Sequence, residues 1–406
     1  MLKIYQIITT LFLPLIIVNI FIRIYKKKED KVRFIERFGR PTVKKNNEKK
    51  ILWIHAASIG EFKSSDLIID RYHKVFHILV TTTTKSSADY IKEFYKNKVI
   101  HQYIPFDVSI WCSRFLNFWK PNLILWIESD IWPNMLNKIR EKDINCLYLN
   151  ARISPNSFKK WQNAKNFYKN SLKNFNKIFA QSTDDKKRIH ELTNLQIDYI
   201  GNLKLAKTKF NSITNRKQSN IIMIASTHSN EEIEIVKSIK KTIREFDLKI
   251  YLAPRHPERI KTIKQELNKE GFSISLESRK DVEENNIVII DSFGKLDQYF
   301  KISDLVILGG SFLKNIGGHN PIEPACYGCV VISGKYVDNW TNIYEDMVKV
   351  KSCIIVNNFE EIELKMRELL NNNIEIKKIQ KNALEFSKGP FFEKEQLYQD
   401  IEVYIN

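Results

Sequence analysis

Residues 309–324 are Gly-Gly-Ser-Phe-Leu-Lys-Asn-Ile-Gly-Gly-His-Asn-Pro-Ile-Glu-Pro, and this stretch is the strongest local indication of fold class in the chain. It follows the short apolar run Leu305–Leu308, which is typical of a buried strand, and it precedes a predicted helix. Asn320 is a good N-cap for that helix, and Pro321 suits its first position. Two Gly-Gly pairs between a strand and a helix allow backbone N–H groups to approach an anion closely. The stretch therefore predicts an anion site on an α/β domain.

Two interpretations of Glu323 are open. Glu323 stands three residues after the predicted N-cap, and Ile322 separates it from Pro321. Its carboxylate would accept hydrogen bonds from a vicinal diol, such as that of a ribose, if a nucleotide occupied the anion site. Alternatively, it would only close a capping box with Asn320. The choice depends on whether the rest of the chain supplies a nucleotide site.

Apolar runs of strand length alternate with segments of helical length and period along most of the chain. The first series of predicted strands is Ile51–Ala57, Phe76–Thr82, Leu123–Ile127, Cys146–Asn150 and Lys177–Ala180. The second series is Ile221–Ala225, Ile250–Pro254, Phe272–Leu276, Ile287–Asp291, Leu305–Leu308 and Val330–Ser333. This alternation predicts an α/β fold of two Rossmann-like doubly wound domains facing a cleft. Ligands of such sheets bind beyond the carboxyl ends of the strands.

The length of 406 residues is too great for one ordinary core and favours two domains. Gly389-Pro390 is expected to end the last helix of the second domain, and Phe391–Tyr404 is predicted to be a final helix. The predicted division is a membrane anchor at 1–25, a first domain at 26–206, a polar linker at 207–220, a second domain at 221–388 and a C-terminal helical segment at 389–406.

The predicted anchor contains the apolar run Ile7–Ile22, which is followed by Arg23 and three consecutive lysines, Lys26–Lys28. A basic flank on this side favours placement of the rest of the chain at the cytoplasmic face of a membrane. Sixteen residues are short for a full span, and Pro14 interrupts the run. The sequence therefore leaves open whether the segment spans the bilayer or lies at its interface.

The net charge of +18 predicts an acidic partner. The chain has no signature of a nucleic-acid-binding module, and its basic residues are spread along the sequence, so anionic lipid and phosphorylated substrates are favoured over nucleic acid. The five cysteines include one C-x-x-C pair, Cys326 and Cys329, without a second pair at zinc-finger spacing. We expect these thiols to pack in the core of a protein from a reducing compartment.

Charged residues follow the predicted strands of the first series. Glu61 lies in the first turn of a helix directly after the first strand, where a carboxylate could act as a general base. The alternative is a first-turn Glu that only complements the helix dipole. Glu128 and Asp130 end the Leu123–Ile127 strand, and Lys204 closes the first domain. Two carboxylates at one strand end of a basic protein indicate a functional role.

Residues suited to ligand binding also follow the predicted strands of the second series. Pro254-Arg255 ends one strand, and the planar guanidinium of Arg255 suits a phosphate because it can bind two oxygens. Phe293-Gly294-Lys295 follows another strand, and Gly294 is free to present backbone donors. Ser226-Thr227-His228 follows the first strand of the series and precedes a helix.

In this order the motifs resemble those of the 3-deoxy-D-manno-octulosonic acid (Kdo) transferase family of lipopolysaccharide synthesis. The resemblance covers nearly the whole chain and rests on the N-terminal anchor, Trp53–Glu61, Glu128–Asn134, Asn150–Ser154, Gly201–Lys204, Ser226–His228, Pro254–Arg259 and Gly309–Pro324. It implies the GT-B glycosyltransferase fold, with the final helix returning to the first domain. It also implies inverting transfer of Kdo from CMP-Kdo to lipid IVA, a precursor of lipid A, at the cytoplasmic face of the bacterial inner membrane, with no metal and no other cofactor.

The resemblance also implies roles for individual residues. Glu61 matches the family's proton acceptor, and Glu128 and Lys204 match positions assigned to transition-state stabilisation, where Lys204 would face either a phosphate or the Kdo carboxylate. The segments that hold CMP match Pro254-Arg255, Phe293-Gly294-Lys295 and Asn320-Pro321-Ile322-Glu323. This chain has Asp130 where the family usually has Glu, and Lys295 where an acidic residue is frequent. We therefore expect Lys295 to contribute through its backbone.

The segment Asn156–Lys177 is predicted to contact the membrane-bound acceptor. Lys165, Lys169, Lys173 and Lys177 recur every four residues among aromatic side chains, as in a helix at a membrane surface. The alternative is an ordinary solvated lysine face over a core stripe.

Two other functions stay open at this point. One is a GT-B lipid glycosyltransferase that uses a UDP-sugar donor. The other is a catalytically inactive, membrane-anchored protein that binds a nucleotide or a lipid.

Overall fold

The computed structural model describes residues 1–45, 49–128, 131–206, 220–279, 285–292, 294–389 and 391–405. The chain divides into two units. The first unit comprises Met1–Lys207 together with Pro390–Asn406, and the second comprises Thr208–Gly389. The linker predicted at 207–220 lies outside the described residues, except for Asn220.

The first unit is built on a six-stranded parallel sheet with the strand order β3-β2-β1-β4-β5-β6. Its strands are β1 (Ile51–His55), β2 (His77–Thr82), β3 (Ile100–Tyr103), β4 (Leu123–Ile127), β5 (Asn145–Ala151) and β6 (Lys177–Ala180). Its first ten helices are α1 (Leu2–Leu11), α2 (Leu13–Tyr25), α3 (Ile59–Ser64), α4 (Asp66–Tyr72), α5 (Lys85–Phe94), α6 (Ser109–Trp119), α7 (Pro133–Glu141), α8 (Pro155–Gln162), α9 (Lys165–Leu172) and α10 (Thr183–Thr193). Two 3-10 helices span Arg33–Phe38 and Leu203–Leu205.

Successive residues of the central strand β1 belong to two different cores. Trp53 packs against Phe115 and Trp126 in one cluster. Leu52 and Ile54 belong to a second cluster. Because side chains alternate between the faces of a strand, an apolar strand of this kind needs cover on both sides. The polar side chains of this strand series are consequently concentrated at strand ends.

The second unit contains a seven-stranded parallel sheet with the order β13-β12-β11-β7-β8-β10-β9. Its strands are β7 (Ile221–Thr227), β8 (Lys249–Pro254), β9 (Ile274–Leu276), β10 (Ile287–Ile289), β11 (Leu305–Leu308), β12 (Val330–Gly334) and β13 (Cys353–Val356). Its helices are α11 (Glu231–Ser238), α12 (Lys240–Glu245), α13 (Ile260–Lys269), α14 (Leu296–Ile302), α15 (Ile322–Ala325), α16 (Thr341–Lys349), α17 (Glu360–Leu370) and α18 (Asn373–Ser387). A 3-10 helix spans Pro257–Arg259.

The predicted α/β fold with two parallel sheets is confirmed, but two strands were missed. β3 contains His101 and Gln102, so it lacks the apolar run by which the other strands were recognised. Tertiary contacts reach both residues: the Trp119 indole N–H donates to Gln102 Oε1 at 2.7 Å, and Arg33 donates to the His101 carbonyl at 2.8 Å. The other missed strand, β13, lies at the edge of its sheet.

The N-terminal apolar segment forms two helices, α1 and α2, bent by 57° at a short break. Among the described residues no single helix has both the length and the apolar composition to cross a membrane, and only this bent pair meets both requirements together. Tyr5 of α1 donates to Asp107 Oδ2 at 2.9 Å, and Thr9 accepts from Asn134 Nδ2 at 3.2 Å. The large apolar side chains left exposed on the pair are Ile4, Ile7, Ile8, Leu11, Phe12, Leu15, Ile17, Val18, Phe21 and Ile22. Anchoring by this segment stays a prediction.

The prediction of one basic and aromatic helix over Asn156–Lys177 is wrong. The helix is interrupted between α8 and α9. Lys177 lies in strand β6, and its ammonium pairs with Asp400 at 2.6 Å and Asp198 at 3.3 Å. Tyr168 is buried in the core. The four-residue spacing of the lysines continues in the sequence past the end of α9 and into a strand. The lysines beyond α9 therefore do not extend a continuous helical face.

The C-terminal segment packs on the first unit through Gly201. The chain pairs Gly201 with Phe392 in an antiparallel bridge, and the Phe391 carbonyl accepts from the Asn202 amide at 2.9 Å. The final helix α19 therefore spans Lys394–Ile405 and begins three residues later than predicted. Its Leu397 and Ile401 are buried in the core of the first unit.

Replacement of Gly201 by alanine should loosen α19. Gly201 has φ +92°, and a Cβ atom there would lie 2.0 Å from the Phe391 carbonyl oxygen, so the bridge must separate. Hydrogen exchange of the α19 amides should accelerate in Gly201→Ala. Gly271→Ala is the control, because its φ is also positive (+79°) but the nearest atom is the tip of Lys240 at 3.9 Å. Unchanged protection of α19 in Gly201→Ala would contradict this account.

Candidate active site

Glu61 lies in the first turn of α3, directly beyond β1. Ser58 caps the helix: its hydroxyl accepts from the Glu61 amide at 3.3 Å and donates to Glu61 Oε1 at 3.0 Å. The Ala57 amide donates to Glu61 Oε2 at 2.8 Å. The reciprocal bonds between Ser58 and Glu61 resemble a capping box, and Glu61 also lies where a carboxylate complements the helix dipole, so Glu61 has a structural role at the start of α3. The same contacts hold the half-buried carboxylate in one orientation at the strand end, as a general base requires.

Residues that sequence analysis did not single out support the Ala57 peptide group. The amide and the hydroxyl of Thr83 both donate to the Ala57 carbonyl, at 3.2 and 2.7 Å. The buried guanidinium of Arg37 in turn donates to the Thr83 carbonyl at 2.6 Å and to Glu29 Oε1 at 3.0 Å. Glu29 and Arg37 precede the first strand by many residues, so their position behind the site depends on tertiary folding.

Glu128 and Lys204, which the sequence placed at two separate strand ends, form an ion pair. Lys204 Nζ lies 2.7 Å from Glu128 Oε1, and Asn150 Nδ2 donates to the same oxygen at 3.3 Å. The Asn150 side-chain oxygen Oδ1 accepts from the Leu203 backbone amide at 3.0 Å. This bond connects the Lys204 segment to the end of β5. Asp130, the second predicted carboxylate, lies outside the described residues.

Left-handed backbone at the strand ends produces this cluster. Glu128 has φ 67° and Asn150 has φ 56°, a region that non-glycine residues rarely adopt. The Lys204-containing 3-10 helix packs against α3, with Leu203 and Phe62 in the same buried cluster. The first unit therefore gathers Glu61, Glu128 and Lys204 at one end of its sheet.

In the second unit, Glu231 organises the glycine-containing loop after β11. Its carboxylate is fully buried and accepts from three backbone amides, those of His228 (2.9 Å), Gly310 (2.7 Å) and Phe312 (3.1 Å). At Gly309 a Cβ atom would lie 2.6 Å from the Thr227 α-carbon, so this position requires glycine for close approach of the two strand ends. From the sequence, only a helix after Ser226-Thr227-His228 was predicted here, and Glu231 was given no role of its own.

The predicted helix start at Asn320-Pro321 is one residue too early. α15 begins at Ile322, and the Asn320 side-chain oxygen accepts from the Ile322 amide at 3.0 Å, an Asx-type turn. The Asn320 side-chain amide lies 3.5 Å from Glu323 Oε1, and Glu323 is exposed. Its carboxylate is therefore accessible to a ligand at the end of this loop.

Pro254 and Arg255 end β8, as predicted. The Arg255 amide donates to the Thr227 carbonyl at 2.9 Å, and this fixes the backbone beside the end of β7. The Arg255 side chain is exposed and forms no hydrogen bond with any residue in the described ranges. It is available for an anionic ligand.

Gly294 and Lys295 precede α14, and Phe293 lies outside the described residues. Gly294 has φ +80°, and apart from its chain neighbours no atom of the described residues lies within 4 Å of where its Cβ would be, so the backbone there is open. Lys295 Nζ pairs with Glu277 Oε1 at 2.5 Å and holds the pKa of that carboxyl below its usual range. The Lys295 side chain is thus engaged within the protein.

Two histidines that were not assigned a role lie beside these residues. His228 and His319 approach with their Nε2 atoms 3.0 Å apart. Burial, together with the nearby Arg255 and the other imidazoles, lowers the pKa of His319 to about 3. In the sequence, His319 stood out only as the histidine of Gly-Gly-His-Asn, and a histidine at such a position can have many structural roles. Within the described ranges, no group of three or more His, Cys, Asp or Glu side chains is arranged to hold a metal.

The fold of the chain has counterparts among solved structures. A glycosyltransferase from Rickettsia africae has a TM-score of 0.59 at 16% identity, covering 88% of this chain and 98% of that one. The UDP-GlcNAc 2-epimerase of Neisseria meningitidis has a TM-score of 0.56 at 13% identity, covering 84% and 97%. The fold is therefore that of the GT-B class of glycosyltransferases.

Sequence comparison narrows the class to a family. A model described as 3-Deoxy-D-manno-octulosonic-acid transferase (kdotransferase) matches residues 32–207. The 3-deoxy-D-manno-octulosonic acid transferase of Rickettsia bellii is 35% identical over 405 residues, 95% of each chain. The protein of the same description from Haemophilus influenzae is 30% identical over 377 residues, 88% of each chain. This chain belongs to the 3-deoxy-D-manno-octulosonic acid transferase family.

Removal of the Lys204 ammonium should destabilise the first unit. In Lys204→Met the Glu128 carboxylate, 6% exposed, keeps only the long bond from Asn150 among its contacts with the described residues, so unfolding should become easier by about 3 kcal/mol. Adding Glu128→Gln should recover part of this loss, because it removes the uncompensated charge. Tryptophan fluorescence in urea is the measurement, since six of the seven tryptophans lie in the first unit.

The control for this pair is Lys85→Met. Lys85 forms an exposed ion pair with Asp89 in the same unit, with side chains 46% and 62% exposed, and its loss should cost at most about 0.5 kcal/mol. Equal effects of Lys204→Met and Lys85→Met would show that Glu128 does not depend on its partner.

Proposed function

We propose that this protein is an inverting glycosyltransferase that moves Kdo from CMP-Kdo to lipid IVA. The observation that carries the proposal is the gathering of Glu61, Glu128 and Lys204 at one end of the first sheet, in a chain 35% identical to a Kdo transferase over nearly its whole length. The activity that the relatives' names describe requires an acceptor hydroxyl to be deprotonated and an acidic sugar to be held. These three side chains are of the types that both tasks require.

Glu61 is the proposed base. It takes the proton of the acceptor's primary hydroxyl as that oxygen forms a bond to the anomeric carbon of Kdo. The bond from the anomeric carbon to the phosphate oxygen breaks on the opposite face, its electron pair leaves with CMP, and the configuration inverts. The Ser58 hydroxyl and the Ala57 amide keep the carboxylate oriented before the acceptor arrives, so little reorganisation is needed at the moment of transfer.

Lys204 is the proposed electrostatic partner of the reacting groups. Its side chain is 28% exposed, so its ammonium can contact a ligand while it pairs with Glu128, whose carboxylate also accepts from Asn150. An ammonium fixed in this way would stabilise negative charge on a phosphate or on the Kdo carboxylate. Glu128 then acts chiefly by orienting Lys204.

The second unit is the proposed CMP site. The free guanidinium of Arg255 suits the phosphate of the donor, and the open backbone at Gly294 and the exposed Glu323 suit the nucleoside, with Glu323 on the ribose diol. Pro254, Lys295 and the loop Asn320-Pro321-Ile322 complete the proposed contacts, Lys295 through its backbone. Positive charge from Arg255 would neutralise the leaving phosphate, so we propose that the reaction needs no metal and no other cofactor.

We further propose that the protein works at the cytoplasmic face of the bacterial inner membrane. The exposed apolar side chains of α1 and α2 would enter the lipid, and Arg23 with Lys26–Lys28 would lie against anionic headgroups. Lipid IVA is itself an acylated bisphosphate, so a membrane-bound enzyme would meet its acceptor in the same layer. Lys165 and Lys173, both exposed beside α9, remain candidates for contacts with its phosphates.

Transfer by the detergent-solubilised protein, with CMP-Kdo and lipid IVA and with products detected by mass, tests the function. Wild-type protein should add Kdo, and Glu61→Gln should lower kcat by about 10²- to 10⁴-fold while it still binds CMP, because the amide cannot accept the proton. Glu93→Gln, an exposed carboxylate on α5 of the same unit, is the matched control and should be fully active. Transfer from a UDP-sugar alone would overturn the donor, and near-normal turnover of Glu61→Gln would overturn the base.

Membrane binding should depend on the N-terminal helix pair. In the double variant Leu11→Glu and Leu15→Glu, side chains 71% and 61% exposed become charged, and binding to vesicles that contain anionic lipid should weaken at least about tenfold. Leu364→Glu alters a 59% exposed leucine on α17 of the second unit and should have no effect. Co-sedimentation with vesicles is the measurement, and equal binding by both variants would refute the anchor.

A further inference from the structure

Three histidines of the second unit lie together where strands β7 and β8 end and where the loop after β11 returns. The rings of His228 and His319 are nearly parallel, 11° apart, with their centroids separated by 5.2 Å and their Nε2 atoms by 3.0 Å. The ring of His256 meets that of His228 edge-on, at 5.5 Å and 80°. This cluster has no part in the proposed mechanism so far.

The contact between His228 and His319 determines where their protons are. At 3.0 Å, two imidazole nitrogens share one proton, so one ring donates and the other accepts. When His228 is the donor of this contact, its Nε2 carries the shared proton and His319 accepts at Nε2. The Nδ1 of His228 then carries no proton, and it has no hydrogen-bond partner among the described residues.

The charges around His228 favour an anionic ligand over an internal partner. Glu231 has both oxygens occupied by backbone amides, and Glu232 is bound by Arg259 at 2.7 Å and by the Thr227 hydroxyl at 3.1 Å. Those two carboxylates cannot turn toward the ring without breaking buried contacts.

The remaining neighbours of His228 are basic. They are Arg255 and His256 at the end of β8, Arg259 of the following 3-10 helix, and His319. Glu258 accompanies His256 at 3.6 Å, but its side chain is 75% exposed. Burial first, and then His256 and Arg255, hold the pKa of His228 below its usual value in the free protein. The negative charge of an anion placed among these groups would counteract the effects of His256 and Arg255 on the pKa of His228.

We propose that His228 binds the phosphate of the donor and takes up one proton from solvent at Nδ1 as it does so. The inference rests on the proposed CMP site and deepens it. The new N–H donates to a phosphate oxygen, and the proton returns to solvent when CMP leaves. The Nε2–H···Nε2 bond to His319 stays intact, because the proton is added to the opposite nitrogen. A second proton would place two N–H groups face to face, so the pair takes up only one.

Affinity for the nucleotide then depends on pH in a defined direction. The pKa of His228 is low in the free protein and higher in the complex, so the contribution is complete below the free-state pKa and is lost as pH rises through that of the complex. Between these two pKa values, the affinity of wild-type protein for CMP should fall by about tenfold per pH unit, the slope for one linked proton, and above that of the complex the affinity should level off.

Calorimetric titration of the full chain with CMP, at pH 7.5 in buffers of different ionisation enthalpy, counts the protons. Wild-type protein should take up more protons than His228→Gln, whose side-chain amide keeps an N–H for His319 Nε2 but cannot be protonated. The ionisation of CMP itself contributes equally to both and cancels. His190→Gln, an exposed histidine of the first unit, should match wild type.

The outcomes separate this inference from the proposed function. Binding of CMP with equal proton uptake by wild type and His228→Gln would overturn the role of His228 and leave the CMP site standing. Failure of the wild-type protein to bind CMP would overturn both. If His228→Gln does not fold, as judged by circular dichroism, NMR of ¹⁵N-histidine-labelled wild type decides: CMP should convert one neutral imidazole to an imidazolium, and absence of that change refutes the inference.

Discussion

Both sheets of this protein are parallel, and their central strands are buried on both faces. A buried strand cannot carry a charged side chain into either core without a large desolvation cost, so charged groups collect where the strands end. The backbone must then turn sharply within one or two residues. Glu128, Asn150 and Ser226 do so with φ values of 67°, 56° and 57°. Among the candidate residues, Glu128 lies on one of these turns and pairs with Lys204, and the Arg255 amide donates to Thr227 directly beside another.

The carboxylates at these turns serve the fold and the site together. Glu231 closes the loop after β11 by accepting from three backbone amides, and Glu61 closes the first turn of α3 in the same manner. A carboxylate held in this way cannot rearrange freely. For Glu231 this gives a rigid position beside the histidine pair, and for Glu61 it would fix the orientation of the proposed base. Capping and catalysis are therefore not competing explanations of Glu61.

Sequence analysis recovered the elements whose signal is local and missed those whose signal is not. β4, β6 and β11 were predicted with their observed bounds, because an apolar run between polar residues is a local property. β3 was missed since its His101 and Gln102 become acceptable only through partners distant in sequence. The lysine spacing from 165 to 177 led to the wrong prediction of one helix for a different reason. A periodic pattern does not reveal where a helix breaks, and here Lys177 pairs with Asp400, 223 residues away.

The sequence by itself determined the α/β class, the division into two strand series, the family, and the residue types at the strand ends. These properties depend on the alternation of apolar runs with helical segments, on the length of the chain and on the order of its motifs, all of which can be read directly from the sequence. Only the tertiary structure decided which strand ends meet: that Lys204 reaches Glu128, that Arg37 lies behind Thr83, and that His228 contacts His319 through the Nε2 atoms. Such pairs join residues 46 to 91 positions apart, and their geometry depends on strand order and on left-handed turns that no local pattern specifies.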